Sequence, residues 1–146
     1  KPHGALYNTA VNNPKVARAI ADGVKKWSAH PILVGLAGSQ MLHVWKDAGF
    51  RVAGEAFADR AYEADGTLRS RKHDDALITD PRKAGERAVG LIRTGIVIAV
   101  DGTPINVRAS TLCVHGDTPN SADIVKAVRE AIMNTGIALR PLKDLV

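Results

Sequence analysis

Three short runs concentrate the side chains able to do chemistry: Lys1-Pro2-His3-Gly4, Glu55 with Asp59-Arg60, and His115-Gly116-Asp117. Imidazole titrates near neutrality, so His3 can serve as a base or a metal ligand. As a turn residue His3 would only be hydrogen-bonded. Lys1 offers a positive charge to a carboxylate or phosphate, or sits in solvent as a chain end. Glu55 follows an apolar run, and buried acids are rare unless paired, so it is a working group or the partner of Arg60. Asp59 and Arg60 also read as an ion pair of structural value. In His115-Gly116-Asp117 the glycine permits close backbone approach between an imidazole and a carboxylate. The plainer alternative is a helix-entry turn in which Asp117 or Ser121 caps.

Other groups carry less. His30 and His43 lack a ligand partner at a recognised spacing, and His73 with Asp74 and Asp75 fits a charged loop rim better than a metal site. Gly35-Leu36-Ala37-Gly38-Ser39 lies where backbone amides can hold an anion, but it lacks the Lys-Ser or Lys-Thr ending of a nucleotide-binding P-loop. Cys113 sits inside a strand with no adjacent base and reads as packing.

The elements that must position these groups alternate short apolar runs with amphipathic stretches, the pattern of an α/β protein. Asn13-Pro14 opens a helix with an N-cap and a proline at N1. Val16, Ala17, Ile20, Val24 and Trp27 mark its buried stripe. Residues 32–36 form a continuous apolar run suited to a parallel strand covered on both faces. Gly38-Ser39 caps a second helix through about Ala48, stopped by Gly49, and Phe50 to Phe57 is the next strand. Residues 58–75 form a long polar loop. Asp80-Pro81 starts a third helix with Ala84, Ala88, Val89 and Ile92 on one side, ended by Gly95. Residues 96–100 and 103–107 predict a hairpin around Asp101-Gly102 with a type I′ turn. Thr111 to His115 is a strand, and Ser121 caps a last helix striped by Ile124, Val125, Val128, Ala131 and Ile132. Gly136 stops it, and Ile137 to Leu139 is expected as a final short strand. In parallel α/β folds the loops after strand C-termini gather on one face, which is where the three polar clusters would meet.

Composition narrows the function classes. With 45% hydrophobic and 24% charged residues, the 146-residue chain is no disordered tail, collagen-like repeat or disulfide scaffold. No run approaches the ~18–20 apolar residues of a membrane span. The net charge is +5, but the 20 Lys and Arg residues are scattered and no aromatics interleave with them. A nucleic-acid partner is therefore not expected. A lone Cys113 suits a reducing cytoplasm.

The same clusters carry a resemblance to a known family. Lys1-Pro2-His3-Gly4-Ala5-Leu6-Tyr7-Asn8, then Gly35-Leu36-Ala37-Gly38-Ser39, then Glu55 with Phe57-Ala58-Asp59-Arg60, Tyr62, Asp65-Gly66, Leu68 and Arg71, and finally Cys113-Val114-His115-Gly116-Asp117 follow the order of motifs in the LamB/YcsF family. The chain departs from it at Asp75-Ala76, where family members usually carry Gly before the Ala. The resemblance implies an irregular, seven-stranded β/α barrel similar to the polysaccharide-deacetylase fold. Residues 1–146 would be the C-terminal part of that single barrel domain. The N-terminal motifs, an Asp-rich segment and a Cys-Gly-Phe-His segment, are expected before Lys1. A full barrel takes ~250 residues, so roughly 100 would lie upstream.

The resemblance also implies an activity: ATP-dependent opening of 5-oxoproline to L-glutamate, shared with oxoprolinase subunits B and C. It places His3, Glu55, Asp59, His115 and Asp117 in catalysis, and Lys1, Tyr7, Asn8, Arg60, Tyr62 and Arg71 on the substrate. ATP is a co-substrate, and a divalent metal would take ligands partly from the upstream segment. Self-association into a homo-oligomer is left open. The alternatives are a metal-dependent, deacetylase-like amide hydrolase and a non-catalytic substrate-binding subunit.

Overall fold

A computed structural model describes residues 1–28 and 30–146. The chain divides into two compact units, one of residues 1–55, 109–111 and 141–146, the other of residues 56–108 and 112–140.

In the first unit, Gly4–Val11 forms a helix, α1, that the reading above did not expect. Its buried residues Tyr7, Ala10 and Val11 sit at helical spacing, but that signal is short and overlaps the Lys-Pro-His-Gly motif. Helix α2 (Pro14–Trp27) begins as expected, with the Asn13 side chain accepting from the N–H groups of Lys15 and Val16 at 3.1 and 3.2 Å. Its fully buried positions are Ala17 and Ala21, whereas Trp27, assigned to the stripe, is 82% exposed at the helix end. Strand β1 (Ile32–Leu36) pairs in parallel with β2 (Arg51–Phe57), from Ile32 opposite Arg51 to Leu36 opposite Glu55. Between them α3 (Gln40–Asp47) packs its buried Met41 and Trp45. The Trp45 indole N–H donates to the Ala17 carbonyl at 2.9 Å, which joins α3 to α2 through one buried bond. Ser39 holds the N-cap position but does not cap: among the described residues its buried hydroxyl oxygen has no hydrogen-bond partner.

On the other side of β2, the Ser110 N–H donates to the Gly54 carbonyl at 2.7 Å and leads the chain into the last strand, Thr111–Cys113, which is β5 in chain order. The strand order of this sheet is β1-β2-β5.

The second unit is built on α4 (Pro81–Thr94) and α5 (Ser121–Met133). Asp80 caps α4 by accepting from Arg82 and Lys83 N–H groups, and Gly95 closes it at φ +66°. Small residues let the two helices approach closely. A Cβ on Gly85 would lie 3.3 Å from the Ala127 carbonyl oxygen and 3.3 Å from the Ala131 Cβ. Beneath them Ala58, Ala84, Ala88, Ile124, Val128 and Ile132 form a core joined by Ile78, Leu112 and Val114. This is how a chain with few aromatics fills its interior: alanines shorten the distance between elements rather than leaving voids.

Strands β3 (Ile96–Ile98) and β4 (Pro104–Asn106) form the expected antiparallel hairpin. Its turn is not type I′. Gly102 takes φ +90°, but Asp101 stays out of the left-handed region and accepts from the Thr103 N–H instead. That leaves a five-residue connection closed by bonds between Ala99 and both Gly102 and Thr103. Helix α5 is preceded by Asn120 at φ +61°, so Ser121 is the first helical residue rather than the cap, and its hydroxyl donates to the Gly116 carbonyl. Ile137–Leu139 forms no strand. A three-residue run gains ladder bonds only beside another strand, and among the described residues it has none. No helix among the described residues is long and apolar enough to cross a membrane.

Candidate functional site

In the second unit the chain leaves β2 at Phe57 and turns its polar residues in different directions. Asp59 is fully buried. Its carboxylate accepts from the His115 backbone N–H at 2.8 Å and from the Thr118 hydroxyl at 2.8 Å. The His115 Nδ1 lies 3.2 and 3.1 Å from its two oxygens. Burial pushes this carboxyl up, but the bonds from the His115 ring, the His115 N–H and Thr118, with the charge of His115, outweigh it and hold the group below its usual range. An ionised Asp59 fixes the proton of His115 on Nδ1 and leaves Nε2 as the ring's proton acceptor. The ring also stacks on Phe57, with centroids 5.2 Å apart and planes inclined by 15°, and its side chain keeps 24% exposure. Its plane is therefore set from two sides.

Asp59 and Arg60 do not pair with each other. Asp59 lies in the bend that follows β2 and turns to His115, while the buried Arg60 donates to the Arg69 carbonyl at 2.6 Å. The Arg60 Nε is buried without a hydrogen-bond partner among the described residues, and the Arg60 carbonyl accepts from Arg87 at 2.8 Å. Arg69 is held by Glu63 at 3.0 Å and Asp75 at 2.6 Å. Arg71 instead reaches Asp117, donating from its two terminal nitrogens at 2.5 and 3.3 Å. That hydrogen bond from Arg71 is the main cause holding the Asp117 carboxyl below its usual range. Asp117 caps no helix. Tyr62 is buried, and its hydroxyl accepts from the Phe57 N–H at 2.9 Å.

In the first unit Glu55 is 2% exposed and meets the Lys1 ammonium at 2.6 Å, so its ionic partner is Lys1 rather than Arg60. The second carboxylate oxygen of Glu55 is buried without a hydrogen bond among the described residues. The Lys1 ammonium also lies 5.7 Å from the centre of the Tyr7 ring. His3 and Asn8 are exposed at and on α1, and His3 makes no side-chain cap bond.

Of the residues expected at a site, the structure joins Asp59 with His115, Arg71 with Asp117, and Lys1 with Glu55 beside Tyr7. It leaves His3 and Asn8 at the surface. Two contributors were missed. Thr118 is buried through its bond to Asp59, and its only signal is its place three residues past His115. Phe57, read as the end of a strand and as part of the motif run, stacks on the His115 ring. Among the described residues no three His, Cys, Asp or Glu side chains gather as a metal site.

The LamB/YcsF family pattern matches residues 1–146. The chain is 49% identical over 140 residues to the A subunit of 5-oxoprolinase from Chloroflexus aggregans, covering 96% of this chain and 56% of that protein. It is 39% identical over 146 residues to the protein of the same name from Pyrococcus abyssi, covering all of this chain and 57% of that one. A crystal structure of the lactam utilization protein from Thermus thermophilus superposes with a TM-score of 0.85 at 42% identity, over 95% of this chain and 55% of that one. The chain thus spans about half the length of the relatives it matches. With the motif order, the whole-chain match and the shared fold in agreement, the chain belongs to the LamB/YcsF family.

Proposed function

We propose that this chain carries part of the active site of an A-type oxoprolinase subunit, which opens 5-oxo-L-proline to L-glutamate at the expense of ATP together with subunits B and C. The observation that carries the reading is the buried Asp59 bound to His115, a base held in one tautomer. The names of the related proteins support the substrate class, a cyclic amide. The seven-stranded barrel belongs to the same proposal, as the fold of the longer protein.

A lactam is a stable amide, so its carbonyl must be activated. In the proposed sequence the γ-phosphoryl of ATP passes to the lactam oxygen and ADP leaves. A water gives its proton to His115 Nε2 and adds to the same carbon. The C–N bond then breaks, the amine nitrogen takes the proton from His115, and the hydroxyl left by the water gives its proton to solvent as the carbonyl re-forms. A second water hydrolyses the resulting γ-glutamyl phosphate to L-glutamate and phosphate. Asp59 stabilises the imidazolium formed on the way. No step needs His3 or Asn8.

The test is glutamate release by the full-length protein assembled with subunits B and C. His115→Ala and His115→Gln are expected to lose about 10²–10⁴-fold, the range of a general base. Full activity in His115→Ala would overturn the assignment. Glutamate release that requires a divalent metal and no ATP would instead favour the deacetylase-like hydrolase.

A further inference from the structure

Two arginines in the loop after β2 are held in contrasting ways. Arg69 is fastened: two carboxylates, Glu63 and Asp75, take its guanidinium, its N–H donates to the Ala61 carbonyl, and its own carbonyl accepts from Arg60. Arg71 sits at the tip of the turn closed by the His73 N–H on the Ser70 carbonyl, and Asp117 is its ion-pair partner. Asp117 in turn lies at the tip of a turn that begins on His115 and closes with the Thr118 N–H on the His115 carbonyl at 3.2 Å. Both ends of that turn, His115 and Thr118, are tied to Asp59, while the Asp117 side chain between them is 67% exposed.

A guanidinium fork meeting a carboxylate with two nitrogens is the geometry used to recognise carboxylates in general. Here the fork is occupied by an internal carboxylate two residues from the proposed base. The pair is exposed at both ends, a class of ion pair that adds little to stability, so exchanging one carboxylate for another costs little. Loss of Asp117 from the fork would leave the Arg71 guanidinium open to another anion.

We propose that Arg71 binds the carboxylate of the substrate, a small lactam acid, and that Asp117 is a stand-in which the substrate carboxylate displaces. The proposal rests on the lactam-opening reading above. It makes Asp117 a competitor for the substrate's place and assigns it no proton transfer.

Calorimetric titration of the full-length protein with 5-oxo-L-proline and with 2-pyrrolidone, the same ring without a carboxylate, tests it. Asp117→Asn is expected to bind 5-oxo-L-proline about two- to fivefold more tightly, the worth of an exposed pair removed from competition. Arg71→Gln is expected to bind it about tenfold more weakly. Arg71→Lys, a point charge without the fork, should fall between, and none of the variants should alter 2-pyrrolidone binding. Unchanged or weaker binding by Asp117→Asn overturns the exchange, as does equal weakening of both ligands by Arg71→Gln. Wild-type protein that binds 5-oxo-L-proline with this pattern but, assembled with subunits B and C and given ATP, never opens it refutes the reaction and keeps the exchange. Protein that opens it without the pattern does the reverse, and wild-type protein that does not bind it overturns both.

Discussion

Replacing Asp59 by Asn and by Ala separates two tasks of one buried side chain. Asp59 is fully buried and accepts two bonds of 2.8 Å, from the His115 N–H and the Thr118 hydroxyl, while lying within 3.2 Å of the His115 Nδ1. Alanine removes the acceptor from all three. The Thr118 hydroxyl can rotate, but the His115 N–H is fixed by the backbone, and a buried donor left alone costs about 1–3 kcal/mol. With the void and the unpaired ring nitrogen added, Asp59→Ala should lose about 3–5 kcal/mol, the range for breaking a buried polar pair by removing one partner. That is a large share of the ~5–15 kcal/mol that holds a domain folded. Asparagine keeps an oxygen for the two short bonds, so Asp59→Asn should lose only about 1–2 kcal/mol, the difference between charged and neutral acceptors. Its amide NH₂ would then face Nδ1, making that nitrogen the acceptor and moving the ring proton to Nε2. The base would be blocked in a folded protein. Urea unfolding followed by circular dichroism measures the first effect, provided the slope with denaturant is unchanged. Glutamate release by the assembled complex measures the second, with an expected loss of about 10²–10⁴-fold. Asp59→Asn that folds and keeps near wild-type activity would refute the tautomer argument, and Asp59→Ala as stable as wild type would refute the buried-acceptor argument.

Two further outcomes follow from the packing and the charges. Gly35→Ala would place a Cβ 2.9 Å from both Met41 Cε and Trp45 Cζ3, and Trp45 cannot swing away without breaking its bond to the Ala17 carbonyl. A loss of about 1–3 kcal/mol is expected, read as a lower melting temperature, and an unchanged melting temperature would show that α3 yields. The Asp59 carboxyl titrates below its usual 3.8 in the folded protein, so it stabilises the fold fully above that value. The contribution is lost as pH falls through the depressed folded value. Wild type should therefore lose more stability than Asp59→Asn on going from pH 5 to pH 3, and equal losses measured by urea midpoint would contradict the assignment.

Features written in local chemistry were legible in the sequence. Asn13-Pro14 and Asp80-Pro81 start helices because a side-chain acceptor and a missing N–H satisfy the first turn wherever it occurs. The run at residues 32–36 became a strand because a continuous apolar stretch bounded by polar turns has few other uses. Ser39 and Ser121 failed as caps for the opposite reason. A serine before a helix caps only if the backbone delivers its oxygen to the N2 or N3 amide, and here tertiary packing buries one hydroxyl and sends the other to Gly116. Ile137–Leu139 has the composition of a strand, but composition supplies no neighbour. In the site, the motif residues were visible and their partners were not. Glu55 and Lys1 lie 54 positions apart, and Asp59 and His115 lie 56 apart. Asp59-Arg60 looked like a pair because adjacency in sequence was the only geometry available.

The two aspartates around His115 show how environment divides one residue type between two roles. Both carboxyls are held below their usual range, yet for unlike reasons. Asp59 is ionised against the cost of burial by donors that belong to the fold: a backbone N–H, a buried hydroxyl and the ring itself. None of these can be exchanged without unmaking the turn at residues 115–118. Asp117 is ionised in any case at its exposed position, and what lowers it further is Arg71, a side chain on another turn. A ligand carboxylate can replace Asp117 on Arg71 without disturbing any bond to Asp59. The imidazole would thus keep its tautomer and plane through a cycle in which the neighbouring ion pair opens and closes. On this reading Asp59 is the fixed component of the site and Asp117 the movable one, and burial decides which is which.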